Sequence, residues 1–242
     1  MTSAPIKRNS SQSPRLEWLW WIVGLVLAFI ASVYIAEGAV RMLYQMGVLD
    51  VVNDTVLVLT QRVFVYVLTV AIILIVARFF SKKLTLDSVG LSRLPDWRDI
   101  GLSALGMVGY LILTTILLKI AEQVPGFDAN QTQDIGLDKL FSLDLMMAFG
   151  VFVIITPFFE ELIFRGITQG ALRRARLSAW VAVLVVSVLF GVAHGQWNVA
   201  IDAFALGIVA GVLREKTDAI WAGFLLHAIK NSIAFYALFV IV

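Results

Sequence analysis

Long apolar runs alternate with short polar segments along the chain. The runs cover roughly Trp18–Ala36, Val56–Phe80, Ile100–Leu118, Leu145–Phe159, Ala179–Ala193, Val199–Leu213, and Ile220 to the C-terminus. A helix needs about 20 apolar residues to cross the hydrocarbon core of a bilayer, and several runs reach this length. The pattern therefore predicts an all-α fold, a polytopic transmembrane helical bundle of about seven spans, within a range of six to eight.

The first 17 residues differ from the rest of the chain because they are polar and contain two prolines. Such a segment cannot bury enough apolar surface to fold, so residues 1–17 are predicted to form a disordered tail. Residues 18–242 are predicted to form a single transmembrane domain. A cleaved signal peptide is the alternative interpretation of the basic tail and the first apolar run.

Composition narrows the classes of function that the chain can have. It is 60% hydrophobic and only 15% charged, far from the balance of a soluble domain. It contains no cysteine, which excludes disulfides, thiolate nucleophiles and thiolate metal sites. Its net charge of +2 is small, and its basic residues lie in short clusters. We therefore expect membrane lipids as partners and no nucleic acid.

The basic clusters alternate onto one side of the predicted bundle. They are the N-terminal tail with Lys7, Arg8 and Arg15, the loop with Lys82, Lys83, Arg93 and Arg98, the RRAR segment 173–176, and Arg214 with Lys216. The segment 122–144, on the opposite side, is mainly acidic. Since cytoplasmic loops are enriched in Lys and Arg, we predict an integral, multi-pass protein of the plasma membrane with a cytosolic N-terminus.

Ionisable and amide side chains interrupt the predicted spans. They are Gln61, Arg62, Glu160, Glu161, Arg165, His194, Asp202, His227, Lys230 and Asn231. A charge within the membrane is costly unless it is paired or hydrated, so each is a candidate functional residue. Asp202 and Arg62 fall into no spacing that connects them with the others. We predict a structural or pore-lining role for these two.

The stretch FFEELIFRG, residues 158–166, concentrates three of these charges. Glu161 and Arg165 are four residues apart, so they lie on one helix face and are predicted to form an ion pair. Glu160 is rotated by about 100° from Glu161 and needs another partner. His194 is a candidate, because Glu160 and His194 lie equally far from a turn near Leu177 on two antiparallel helices.

His227 and Asn231 are also four residues apart and stack on one face of the last span. Glu160, His194, His227 and Asn231 can therefore converge from three helices. A carboxylate and an imidazole can activate water, and an imidazole and an amide N–H can stabilise an oxyanion, so the set suits amide hydrolysis. His194, His227 and Glu160 could alternatively bind a divalent metal such as zinc, although HExxH is absent and no metal or other cofactor is assigned.

Three motifs occur in order: EELIFR at 160–165, FGVAH at 190–194 and HAIKN at 227–231. They resemble the EExxxR, FxxxH and HxxxN motifs of the CPBP intramembrane protease family, the CAAX protease and bacteriocin-processing or Abi proteins, which includes type II CAAX prenyl endopeptidases. The resemblance covers roughly Leu145–Ala234. It implies that the catalytic half of the domain lies there.

The resemblance implies an intramembrane endopeptidase that hydrolyses a peptide bond of a membrane-associated peptide or lipidated protein. Glu160 would be the general base with His194, and His227 with Asn231 would form the oxyanion site. Glu161 and Arg165 would be a supporting pair. The family has been described both as metalloproteases and as glutamate proteases, and the motifs leave that choice open. They also leave open a prenylated substrate and the oligomeric state.

Two other classes of function compete with the protease. One is a catalytically silent membrane scaffold or toxin-immunity protein, and the other is a proton-coupled transporter in which the carboxylates titrate. A transporter of this kind would show inverted repeats, and none is evident.

Two details concern helix geometry. The small residues of GIVAG, 207–211, predict close helix packing.

In a straight helix Glu160 would lie ~24 Å from the RRAR turn. The alternatives are a bend near Arg165 and Gly166, a basic turn that projects beyond the membrane, or an inverted orientation.

Overall fold

The computed structural model describes residues 17–49, 53–79, 83–128, 140 and 142–239. These residues form seven apolar helical runs and include no strand. The runs are α1 (Glu17–Gln45), α2 (Asp54–Phe79), α3 (Trp97–Ala121), α4 (the successive segments Ser142–Phe149, Gly150–Ile155, Thr156–Glu161, Leu162–Gln169 and Gly170–Arg174), α5 (Ala179–Val192), α6 (Trp197–Thr217) and α7 (Trp221–Phe239). Six of them are long and apolar enough to span a membrane. The predicted all-α, polytopic bundle is confirmed.

The seventh run, α5, is shorter than the six candidate spans, with 14 residues and a length of about 21 Å. It ends before His194, and Gly195 adopts a left-handed conformation (φ 76°) that turns the chain into α6. At the other extreme, α1 continues to Gln45, well beyond the predicted end at Ala36. The predicted tail lies outside the described residues except for Glu17, which begins α1.

Helices α5 and α6 pack closely through the small residues of the GIVAG stretch. A Cβ atom added to Gly207 would lie 3.0 Å from Ser187, and one added to Gly211 would lie 3.0 Å from Val183. A larger residue at either position would force the two helices apart. The prediction that GIVAG serves helix packing is confirmed.

The described basic loops meet at one end of the bundle. The hydrogen bonds that join them include Arg174 Nη1 to the Ser88 carbonyl (3.0 Å), Ile220 N to the Gly90 carbonyl (3.1 Å) and Arg98 Nη2 to the Lys216 carbonyl (3.0 Å). The alternation predicted from Lys and Arg therefore agrees with the helix order. The compartment that this end faces stays a prediction, and the N-terminal tail and Lys82 lie outside the described residues.

The loop after α2 also reaches α4 closer to Glu160 than the RRAR turn does. A Cβ atom added to Gly166 would lie 2.7 Å from the Val89 carbonyl, so the loop contacts α4 only six residues after Glu160. At 1.5 Å per residue this is about 9 Å along the helix, much less than the ~24 Å estimated to the basic turn. The depth of Glu160 is therefore compatible with access from the basic end.

Two stretches of α4 are π-helical, Gly150–Ile155 and Leu162–Gln169, and the two adjacent glutamates lie between them. Pro157 gives a reason for the first stretch. Its ring would clash with the carbonyl four residues earlier in a regular α-helix, and it has no N–H to donate. The preceding turn is wider, with the Thr156 N–H donating to the Val151 carbonyl five residues back. Such π turns frequently occur at functional sites.

Candidate active site

The ion pair between Glu161 and Arg165 is present and fully enclosed. Arg165 Nη1 lies 3.1 Å from Glu161 Oε1, and the two side chains are 1% and 0% exposed. The guanidinium lies over the ring of Phe190 with its carbon 4.4 Å from the centroid. None of the described residues forms a hydrogen bond with the buried guanidinium nitrogens of Arg165. Opposite charge and a cation–π contact therefore hold this side chain in place.

Glu161 has a second partner that its sequence spacing did not predict. Its Oε1 atom also lies 3.2 Å from Nδ1 of His227, on α7. Gly223, one turn earlier on α7, makes this approach possible, because a Cβ atom there would lie 2.9 Å from Glu161 Oε2. Glu161 therefore connects the charge of Arg165 with the orientation of the His227 ring.

Glu160 points elsewhere, as its rotation from Glu161 predicts, and its partners come from two other helices. Its Oε1 atom accepts a hydrogen bond of 2.5 Å from the hydroxyl of Tyr66 on α2. Its Oε2 atom lies 3.6 Å from Nε2 of His227. With 11% of its side chain exposed, Glu160 is more open than Glu161.

His227 thus lies between the two carboxylates, with one ring nitrogen facing each of them. An imidazolium ring donates from both nitrogens, and this arrangement suits that form. The neutral ring with its proton on Nδ1 would donate to Glu161 and offer the Nε2 lone pair towards Glu160. Both forms retain the Glu161 contact, so Glu161 fixes the ring in either state.

The predicted direct pairing of Glu160 with His194 is not formed, and this is a correction. The counting argument assumed two continuous antiparallel helices, whereas α5 ends at Val192 and His194 lies in the following turn. Its Nδ1 atom lies 2.8 Å from the Phe190 carbonyl, and its ring packs edge-to-face on the Phe190 ring at 4.8 Å. No described hydrogen bond or ion pair joins it to Glu160.

His194 nevertheless belongs to the same neighbourhood. The Phe190 ring that it contacts also packs edge-to-face on the His227 ring, with centroids 5.8 Å apart. Because a backbone carbonyl only accepts hydrogen bonds, Nδ1 of His194 carries a proton and its Nε2 atom is left as the acceptor in the neutral ring. His194 is half-buried, so this atom can receive a proton or a hydrogen bond.

Asn231 donates from Nδ2 to the carbonyl of Phe152, at 2.9 Å. The proline in α4 explains why this carbonyl needs a donor. In a π turn the carbonyl of Phe152 would be paired with the N–H of residue 157, and Pro157 has none. One N–H of the Asn231 amide is used in this way, and the second remains for another acceptor.

Three further polar residues in the spans have structural partners. Asp202 accepts hydrogen bonds from Tyr110 and Thr114 and forms a 3.0 Å ion pair with Lys230. Arg62 lies 4.6 Å from the centroid of the Phe152 ring. These contacts agree with a structural role, which is one of the two alternatives predicted for Asp202 and Arg62.

Sequence reasoning missed Tyr66. It lies in the apolar stretch VFVYVL and makes its polar contact with a residue 94 positions away, so no local spacing indicates it. The available signal was weak: a hydroxyl-bearing aromatic residue four positions after Arg62, on the same face of α2.

Metal binding by Glu160, His194 and His227 does not fit the side-chain positions. The described residues contain no group of three His, Asp or Glu side chains close enough to share an ion. The two histidines do have the anchored Nδ1 atoms that metal-ligating histidines usually show. The three side chains, however, do not converge on one point.

Comparison with known proteins finds a match to the part of the chain that holds most of this cluster. Residues 142–233 match the family model described as "Type II CAAX prenyl endopeptidase Rce1-like". "Putative membrane peptidase YdiL" of Bacillus subtilis (strain 168) is 30% identical over 140 residues, which are 55% of this chain and 56% of that protein. An "Uncharacterized 24.3 kDa protein" of Escherichia coli is 30% identical over 88 residues, 35% of this chain and 41% of that protein.

The chain spans about half the length of these curated relatives. No solved structure matches it. The matched segment contains all three motifs and every member of the cluster around His227 except Tyr66. The resemblance drawn from the motifs is confirmed, since residues 142–233 of this multi-pass membrane protein match the model of the Rce1-like type II CAAX prenyl endopeptidase family.

Proposed function

We propose that this protein is an intramembrane endopeptidase that hydrolyses a peptide bond of a membrane-associated substrate by means of a water molecule activated at Glu160. The observation that carries the proposal is the position of Glu160. One of its oxygens is held by a tyrosine, and the other lies 3.6 Å from a histidine nitrogen. This separation is slightly too long for a direct hydrogen bond, and the side chain is 11% exposed, so Oε2 remains able to accept a hydrogen bond from a water.

Glu160 takes a proton from the attacking water and later returns it to the leaving amine. His194 assists as a second acceptor through its Nε2 atom, which the contact with the Phe190 carbonyl leaves available. The family resemblance assigns the same two residues to water activation. Their separation in the structure means that substrate and water must bridge them.

His227 and Asn231 stabilise the oxyanion that forms on the substrate carbonyl. A protonated His227 donates from Nε2 while Glu161 holds its Nδ1 side, and Asn231 has one amide N–H beyond the bond to Phe152. Such donors are most effective where bulk water is excluded, because the charge that they stabilise is not screened. Glu161 and Arg165 act as the supporting pair.

The substrate class follows from the family and from the site. The matching family model is named for prenyl endopeptidases, and the Bacillus subtilis relative is described as a "Putative membrane peptidase". We therefore propose a peptide or lipidated protein that presents its cleavage site at the membrane. A prenyl group is one form of such a lipid, and its requirement is tested by comparing matched peptides.

The experiment uses the full chain purified in lipid nanodiscs and a library of fluorogenic peptides, each made with and without a C-terminal prenyl group. Glu160→Gln keeps the size of the side chain and removes the base, and His194→Ala removes the second acceptor. Both are expected to lower kcat by about 100-fold or more, the usual contribution of a general base. Glu37→Gln, which removes the carboxylate of an exposed ion pair on α1, is the matched control.

Activity that survives in both Glu160→Gln and His194→Ala contradicts the catalytic assignment. A wild-type protein that binds one of the peptides without cleaving any would favour the alternative function, a catalytically silent scaffold. The metal alternative is tested on the same preparation by elemental analysis and by chelators. Full activity in metal-free protein supports water activation by side chains, whereas loss with a chelator and recovery with zinc contradicts it.

A further inference from the structure

We infer that Tyr66 is a positioning residue of the proposed active site, which fixes the Glu160 carboxylate so that Oε2 is directed to the side of His227. The inference rests on the proposed function. Tyr66 lies on α2, outside residues 142–233, so the family model assigns it no role. The site would then be incomplete without the first half of the chain.

The hydrogen bond from Tyr66 determines which oxygen of Glu160 is available. The hydroxyl donates to Oε1 at 2.5 Å, and Oε2 is the atom that faces Nε2 of His227. A glutamate side chain rotates about three single bonds, and two contacts on different oxygens remove most of this freedom. Without the hydroxyl, only the 3.6 Å approach to His227 would direct the carboxylate.

The ring of Tyr66 is held independently of its hydroxyl. It stacks on Phe159, the residue before Glu160, with centroids 6.0 Å apart and planes at 11°. One turn earlier on α2, Arg62 lies over the ring of Phe152. Both contacts dock α2 against α4, and neither involves the hydroxyl. Tyr66→Phe therefore removes the hydrogen bond to Glu160 and the contact of the hydroxyl with Arg62, and leaves the ring packing between the helices intact.

A purely structural role for the hydroxyl makes a different prediction from a positioning role. If Glu160 serves only as the hydrogen-bond acceptor of the buried hydroxyl, loss of the hydroxyl lowers the stability of the fold and leaves the rate per folded molecule unchanged. If the hydroxyl positions Glu160, its loss reduces the fraction of molecules with a productive carboxylate. Small misplacements of reacting groups cost up to about 100-fold in rate. The reduction then falls on kcat, because substrate binding does not require the hydroxyl.

The test compares Tyr66→Phe with Tyr34→Phe, a control on the exposed face of α1, in nanodiscs with the best peptide from the library. Rates are expressed per folded molecule, from the monodisperse fraction below its unfolding temperature. We expect Tyr66→Phe to lower kcat by about 10- to 100-fold with KM within about twofold, and Tyr34→Phe to match the wild type. An unchanged kcat, or a loss confined to KM, overturns the inference.

A second variant pair keeps the test decisive if Tyr66→Phe is destabilised. Glu160→Asp shortens the carboxylate, so its contact with the hydroxyl is already lost. In that background Tyr66→Phe should change kcat by less than about twofold. If Tyr66→Phe instead lowers kcat by the same factor in both backgrounds, the hydroxyl does not act through Glu160. A wild-type protein with no activity overturns the proposed function. An active wild type with an unaffected Tyr66→Phe overturns only the role of Tyr66.

Discussion

Asn231 is expected to stabilise the protein only while Pro157 is present. The proline has no N–H for the Phe152 carbonyl, and the N–H of Thr156 is already donated to Val151. The side-chain amide of Asn231 supplies the missing donor from α7. If this account is correct, the two positions are energetically coupled although they lie 74 residues apart in the sequence.

The magnitude follows from the cost of an unpaired backbone group. Asn231→Ala leaves the Phe152 carbonyl without a donor, which costs about 1–3 kcal/mol when the group is shielded from water. Pro157→Ala restores a backbone N–H. In a π turn this N–H donates to Phe152, and if the turn relaxes to an α-helix, Thr156 donates to Phe152 instead. In both cases Asn231→Ala should then cost less than about 0.5 kcal/mol, so the coupling energy is about 1–3 kcal/mol.

The assay is a double-mutant cycle on the free energy of unfolding, measured by denaturant titration of the four proteins in the same detergent. Ser232→Ala is the control, because its hydroxyl donates to the Ala228 carbonyl within α7 and should cost the same in both backgrounds. Equal costs of Asn231→Ala with and without Pro157 would refute the reasoning. The stabilising effect of Asn231 would then come from a contact other than its hydrogen bond with Phe152.

Three further variants test the buried contacts around the site. Arg165→Met leaves the buried Glu161 carboxylate without its permanent counter-charge and should lower the free energy of unfolding by about 3–5 kcal/mol, while Glu161→Gln added to it should recover most of this loss in the same titration. Gly223→Ala places a methyl group 2.9 Å from Glu161 and should cost about 1–3 kcal/mol, whereas Gly109→Ala, in open space on α3, should be neutral or stabilising by thermal unfolding. Asp202→Asn should cost about 1–3 kcal/mol without changing the peptide cleavage rate per folded molecule, and a large drop in that rate would place Asp202 in the active site.

Local spacing predicted those parts of the site that depend on a single helix. Glu161 and Arg165 pair because residues four apart lie on one helix face, and this holds wherever the helix packs. The different direction of Glu160 follows from the same geometry, and its proximity to His227 agrees with the predicted convergence. The apolar runs predicted the helices equally well, since the need for a continuous hydrophobic stretch is also a local property.

Contacts between distant helices could not be predicted in the same way. The pairing of Glu160 with His194 required α5 to be continuous through His194, and the chain instead turns at Gly195. The partner role of Tyr66 depends on how α2 docks against α4, and its own stretch of sequence gives no sign of this. The two π turns were missed as well, although Pro157 gives a physical reason for the first.

The two adjacent glutamates differ in what balances their charge, and this difference supports the separate roles proposed for them. Glu161 is paired with a permanent cation, Arg165, and is fully enclosed. The opposite charges of this pair compensate each other, and Glu161 also contacts Nδ1 of His227. Among the described residues, the direct polar contacts of Glu160 are with a phenol and an imidazole, neither of which carries a permanent charge. Under the proposed function, the proton of the attacking water is therefore taken up at Glu160, while the Glu161–Arg165 pair keeps His227 in place.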